Sequence, residues 1–157
     1  MRVSSSSPLQ FEHTIEIAVP RAVLHAFLCD LENYVPLHPL IESIRALPAD
    51  PERPRARRYR VIDRIPFGPL RLRAAYTAAL EPISDGEVQG EAWQSPGVHL
   101  LPRYRLEERG PGTRLRESVT LEAPFGLRRF VYRQARDSHG TTLEKMKALL
   151  ENRSQPV

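Results

Sequence analysis

Apolar and polar positions alternate over Phe11–Val19, with Phe11, Ile15, Ile17 and Val19 interleaved with Glu12, His13 and Glu16. A period of two sends successive side chains to opposite faces, so this segment predicts a half-buried strand. Pro20 ends it and suits a first helical turn, where its missing N–H breaks no bond. The period then changes: Val23, Leu24, Phe27, Leu28 and Leu31 share one side of a helix of about three turns. Asn33–Leu40, interrupted by Pro36 and Pro39, predicts a short broken helix or a turn, and Ile41–Leu47 a second strand. After the polar turn Pro48–Pro54, alternation resumes in Arg57–Pro66, Leu70–Leu80, Glu87–Gln94, Val98–Glu108 and Thr113–Ala123. Phe67-Gly68-Pro69 and the Ser-Asp-Gly, Ser-Pro-Gly and Gly-Pro-Gly turns separate these strands, the spacing of an antiparallel meander.

Steps of three and four return in Phe125–Arg153, through Leu127, Val131, Ala135, Ser138, Thr142, Met146 and Leu149. About 25 residues of helix at 1.5 Å each reach roughly 37 Å, enough to cross a sheet. The order is an α+β arrangement: a seven-stranded curved antiparallel sheet wrapped around a long C-terminal helix, with two short helices between strands 1 and 2. One helix stripe does not fill a strongly twisted sheet everywhere, so a cavity between the two layers is expected.

The length, 157 residues, fits one domain over 10–153, preceded by a serine-rich segment, 1–9, expected to be frayed. Hydrophobic residues make up 41% and charged residues 27%, a globular balance. No apolar run approaches the roughly 20 residues that span a bilayer. Met1–Pro8 has no apolar stretch of the signal-peptide kind, and a cytoplasmic location follows by default. The single Cys29 excludes an internal disulfide and a multi-cysteine zinc site. No metal-spaced cluster, Gly-rich phosphate loop or nucleophile elbow is visible, so no metal and no cofactor is implied.

Lys and Arg number 23, of which Lys145 and Lys147 are the two lysines, leaving 21 arginines. Arg58, Arg60, Arg71, Arg73, Arg103, Arg105, Arg114 and Arg116 fall on the outward register of the sheet. No stacking aromatics are interleaved with them, which disfavours nucleic acid and leaves a transient contact with an anionic membrane open. Glu107 and Glu122 can also pair with these arginines across strands.

The inward register carries two acids. Asp63 shares it with Tyr59, Val61 and Ile65, and Glu117 sits between Leu115 and Val119. A carboxylate on an apolar face is costly unless it is paired, hydrogen-bonded or kept neutral. Asp63 and Glu117 are therefore candidate ligand anchors or an acid–base pair; the alternative is a bulge that turns them outward. Tyr76 and Tyr104, also inward, can offer hydroxyls to a ligand or to the backbone. His38 is a candidate base near the cavity mouth, whereas His99 and Trp93 fall on the outer face. The long helix reads as anchored by Leu127–Val131 and Met146–Leu149. Its middle is small and polar, with Gln134, Ser138 and Thr142 as ligand-contact candidates and a break at Gly140.

The opening IEIAVPRAVLHAFLCDLENYVPLHPLIESI and the closing APFGLRRFVYRQARDSHGTTLEKMKALLE resemble the START-like superfamily, whose members include polyketide cyclase/dehydrase and lipid-transport relatives. The resemblance spans Phe11 to about Asn152 and implies the helix-grip fold with a ligand cavity under the C-terminal helix. Many relatives carry Trp two residues before the proline of the short helix; Leu37 stands there in this chain, so no role for that aromatic is carried over. The expected function is binding or transport of a hydrophobic small molecule (lipid, polyketide or aromatic). The alternative is a cyclase/dehydratase-type enzyme using Asp63, Glu117 and His38. Oligomeric state is left open.

Overall fold

In the computed structural model, which describes residues 7–156, seven strands form one antiparallel sheet. They are β1 (Leu9–Ile17), β2 (Ile41–Ala46), β3 (Arg57–Phe67), β4 (Leu70–Ser84), β5 (Glu87–Gln94), β6 (Val98–Arg109) and β7 (Gly112–Glu122). The spatial order β1-β7-β6-β5-β4-β3-β2 is a meander, with the first strand added beside the last. The expected frayed segment falls mostly outside the described residues, and Leu9 already belongs to β1. That strand stops at Ile17 rather than Val19, because the Val19 N–H turns back onto the Ile17 carbonyl at 2.8 Å. Gly68 and Gly110 close the β3–β4 and β6–β7 turns at φ +58° and +57°. Nothing crowds either position, so the left-handed backbone alone calls for glycine there.

Pro20, at φ −58°, leads into helix α1 (Arg21–Leu28), which buries Leu24, Phe27 and Leu28. Full burial of such side chains is worth about 1.5–3 kcal/mol each. Asn33–Leu40 takes the turn of the two expected forms, bending at 35–37, and the second short helix begins just ahead of it. It is one 3₁₀ turn, Leu31–Tyr34, started by the Asp30 carboxylate accepting from the Glu32 N–H at 3.0 Å. Leu37 and His38 still donate to the Tyr34 carbonyl, but Pro39 has no N–H to continue the series.

The chain closes with helix α2 (Arg128–Arg153), entered through a 3₁₀ turn at Phe125–Leu127. Two expectations about this helix need correction. It is continuous through Gly140, whose missing Cβ makes room for the His13 ring of β1; an added Cβ would stand 3.1 Å from that ring. Leu127–Val131 is also no anchor, since the buried positions are Ala135, Ser138, Thr142, Leu143, Met146 and Leu150. Leu127, Phe130 and Val131 instead line the open space between α2 and the sheet.

The core reflects this. One large cluster joins α1 and the C-terminal half of α2 to the sheet through Ile17, Leu24, Leu28, Leu106, Leu115 and Met146. Toward the other end the core divides into two walls. Phe11, Val119 and Ala135 form one, and Tyr59, Val61 and Ala78 the other. The space between the walls is the cavity. On the outer face of the sheet, arginines pair with acids across strands, as in Arg114–Glu16 at 2.8 Å, Arg103–Glu87 at 3.1 Å and Arg73–Glu42 at 3.2 Å.

Candidate functional site

Small side chains make the room. Ala74, Ala78, Gly90 and Ala92 face inward from β4 and β5, and Gln134, Ala135 and Ser138 face them from α2. The result is a cavity of about 560 Å³, within the range of small-molecule sites. Its walls are mainly apolar, from Ile41, Ile65, Leu80, Val98, Leu100 and Val131, with a few polar groups among them.

Asp63 is one of those groups, as the inward register of β3 predicts. It is only 8% exposed, and the Tyr76 hydroxyl donates to its Oδ1 at 3.3 Å. Burial pushes the Asp63 carboxyl up to about 6, against the hydrogen bond from Tyr76 and the positive field of His139. Register accounts for the neighbourhood: Asp63 pairs with Ala74 and Val61 with Tyr76, so the tyrosine stands diagonal to the acid on one face.

Glu117 is 1% exposed on β7. It does not line the cavity; His139 of α2 stands between, with Nδ1 3.0 Å from Glu117 Oε2. Burial disfavours the His139 imidazolium, but Glu117, with Asp63 adding to it, more than compensates, and the ring's pKa rises above its ordinary value. Among the described residues, Glu117 Oε1 is a buried side-chain atom with no hydrogen-bond partner. Tyr104 stands opposite Glu117 in the β6–β7 register and lines the cavity. Burial, then the charge of Glu117, raises the hydroxyls of Tyr34 and Tyr104 well above the usual tyrosine range, and Tyr34 donates to the Leu28 carbonyl at 2.9 Å.

His38 also lines the cavity, its ring edge-on to His139 at 5.9 Å between centroids. The Leu40 N–H donates to His38 Nδ1 at 3.2 Å, so the neutral ring carries its proton on Nε2. Burial and then the adjacent His139 push His38 down to about 3. Two neighbouring imidazoles are thus shifted in opposite directions, because only one has a carboxylate partner.

Of the remaining ligand-contact candidates, Gln134 and Ser138 are on the cavity wall. The Ser138 hydroxyl is occupied by the Ala135 carbonyl at 3.2 Å. Thr142 is buried one turn further on, donating to the Ser138 carbonyl at 2.8 Å, away from the lining. His99 is on the outer face, 2.9 Å from Glu91 Oε1 and stacked on Trp93. His139 was not among the sequence candidates, although it follows Ala135 by four residues and precedes Thr142 by three. Among the described residues, no group of three or more His, Cys, Asp or Glu side chains could hold a metal ion.

Solved structures share this architecture at low sequence identity. An aromatase/cyclase, Zhui, from Streptomyces sp. R1128 superposes with a TM-score of 0.76 at 16% identity, covering 94% of this chain and 96% of that one. A START superfamily protein from Mycobacterium smegmatis gives 0.68 at 17% identity, over 90% and 98% of the two chains. The protein TTHA0849 from Thermus thermophilus gives 0.75 at 16%, over 94% and 100%. These likenesses establish the START-like helix-grip fold. No curated protein matches the sequence. A family model, described as a domain of unknown function (DUF7053), matches residues 10–152, and the chain belongs to that family.

Proposed function

We propose that this protein binds an apolar small molecule, of lipid, polyketide or aromatic type, in the cavity between sheet and α2. The observation that carries the reading is an apolar cavity of about 560 Å³ that meets Asp63, Tyr76, His38 and His139. Apolar burial, at about 25 cal/mol per Å², supplies the affinity. The polar groups orient an oxygen-bearing part of the ligand: Tyr76 and the His139 imidazolium can donate, and ionised Asp63 can accept.

Native mass spectrometry of the purified chain, looking for a retained small molecule, tests this. The parent is expected to carry a ligand. Ser138→Leu, which projects a large side chain into the cavity from α2, is expected to carry none while keeping its fold. Equal loading of both would place the ligand elsewhere and sink the reading.

A second reading has its own support in the unlike charge preferences of the polar groups. A carboxyl at about 6 is largely ionised at neutral pH and suits a base, and the His139 imidazolium suits an acid. With a poly-β-ketone, Asp63 would take a proton from a carbon between two carbonyls. That carbon would close on a further carbonyl, and His139 would protonate the alkoxide. The neutral His139 would then take the remaining proton of that carbon while protonated Asp63 gives its proton to the hydroxyl, which leaves as water and restores both groups. The similar Zhui structure is named an aromatase/cyclase, which is consistent with this alternative. Asp63→Asn and Glu117→Gln decide between the readings: binding kept with turnover lost favours the enzyme, and no turnover by the parent favours the carrier.

A further inference from the structure

Eight large apolar side chains are exposed among the described residues, and five of them gather at one place. Phe67, Leu70 and Leu72 belong to the tip of the β3–β4 hairpin, and Phe125 and Leu127 to the 3₁₀ turn that enters α2. Phe67, Leu72 and Leu127 also line the cavity, which makes this cluster its rim. The Phe67 ring meets Phe130 of α2 edge-on at 5.5 Å, so the two sides of the rim touch. Phe125 is 91% exposed and Leu70 61%, values that no packing within the chain explains.

The charges around the rim have one dominant sign. Arg71 lies between Leu70 and Leu72, and Arg129 and Arg133 flank Phe130 on α2 within one helical turn. All three are exposed, and none makes an ion pair among the described residues, unlike Arg73 nearby, which pairs with Glu42. Protruding apolar side chains ringed by free arginines match the interface of an anionic bilayer, where the apolar groups enter the acyl boundary and the arginines remain at the headgroups. A symmetric pairing of two copies through this patch would instead bring Arg129 and Arg133 against their own counterparts.

We propose that the rim formed by the β3–β4 hairpin tip and the entry to α2 docks on anionic lipid membranes, with Phe125 and Leu70 inserted. The cavity then opens toward the lipid rather than toward water. No helix among the described residues is long and apolar enough to cross a membrane, so the contact is peripheral.

Co-sedimentation of the full chain with vesicles tests this. One set is phosphatidylcholine alone, and the other is phosphatidylcholine and phosphatidylserine in equal parts. The parent is expected to pellet with the anionic vesicles, less so as salt is added, and not with the neutral ones. Arg129→Gln/Arg133→Gln is expected to weaken partitioning about thirtyfold, at about 1 kcal/mol per basic residue near the surface. Phe125→Ser/Leu70→Ser is expected to weaken it at least as much. The control Arg58→Gln/Arg60→Gln, on the outer sheet face, is expected to bind as the parent does. Failure to pellet with anionic vesicles overturns the proposal and leaves the rim to a protein partner. Loss of binding in the control, but not in the rim variants, overturns it too. Phe125 and Leu70 do not line the cavity, so the Phe125/Leu70 variant keeps whatever ligand the parent retains, and membrane docking and ligand binding can fail separately.

Discussion

His139 Nδ1 lies 3.0 Å from Glu117 Oε2, joining the middle of α2 to the middle of β7 by a contact that water scarcely reaches. Each residue needs the other. An ionised carboxylate at 1% exposure is costly alone, and the imidazole gains a raised pKa only because the carboxylate outweighs its burial. Because the folded pKa of His139 is raised, the pair's contribution to stability is complete below the unfolded histidine value. It fades as pH rises through the folded value. Glu117→Ala is therefore expected to cost about 3–5 kcal/mol in slightly acidic solution and less in the alkaline range, read from urea unfolding. The His139 ring should then titrate lower than in the parent in an NMR pH series, since burial would be opposed only by the weaker field of Asp63. A His139 titration unchanged in Glu117→Ala would show that the contact is not an ion pair.

Asp63 carries the opposite sign of consequence from a typical surface acid. Its folded pKa, about 6, is above its ordinary 3.8, so the folded state holds a proton that the unfolded state has already released. Stability therefore falls as pH rises from about 4 to about 6, by on the order of 3 kcal/mol. Asp63→Asn keeps an acceptor for Tyr76 and removes the buried charge. It is expected to raise stability at neutral pH by roughly 2 kcal/mol and to change little below pH about 4. Thermal melts across that range check it, and a variant destabilised at neutral pH would mean that the carboxylate is paired more strongly than its one tyrosine suggests.

His38 acts in the other direction over nearly the same window. Its folded pKa, about 3 against an ordinary 6.5, lets the unfolded state take up a proton that the folded state refuses. Stability is thus lost as pH falls from 6.5 toward 3, and protonation would also remove the acceptor that the Leu40 N–H uses. Between about 4 and 6 the slopes from Asp63 and His38 cancel, one proton against one proton. His38→Gln is expected to unmask the Asp63 slope, so that the variant becomes less stable as pH rises through this interval. A profile parallel to the parent's would mean that the His38 ring reaches water.

Which parts of this were legible in the sequence follows from the kind of signal each part leaves. Alternation suggests faces, so Asp63 and Glu117 read as inward beside Val61 and Val119, but a bulge that would turn them outward leaves no mark in the alternation itself. Cross-element partners leave no such trace. His139 lies at the edge of the helix stripe defined by Ala135, Ser138 and Thr142. Whether an edge residue turns inward depends on the strand beneath it, which the periodicity of α2 cannot report. Leu127, Phe130 and Val131 have the apolar helical spacing of anchors, yet apolarity is equally what a cavity rim requires. Pro36 and Pro39 marked the turn correctly, but not the 3₁₀ helix ahead of them, which the Asp30 side chain starts by accepting from the Glu32 N–H.

Gly140 shows the same limit and offers a sharper test. Taken from the helix alone it is a weak point, costing about 1 kcal/mol relative to alanine. Across from it, however, the His13 ring approaches to 3.1 Å of where a Cβ would be, and its Nε2 bonds the Arg136 carbonyl at 2.9 Å. That bond ties the ring to the same helix, so it cannot simply retreat. Gly140→Ala in the parent is therefore expected to yield no gain in stability, the helical advantage being offset by the displaced ring. In a His13→Ala background the obstacle is gone, and the same substitution is expected to stabilise by about 1 kcal/mol. Urea unfolding of the four proteins in this cycle measures the coupling directly. If Gly140→Ala stabilises both backgrounds equally, His13 does not hold the glycine in place, and the close approach of β1 to α2 has some other cause.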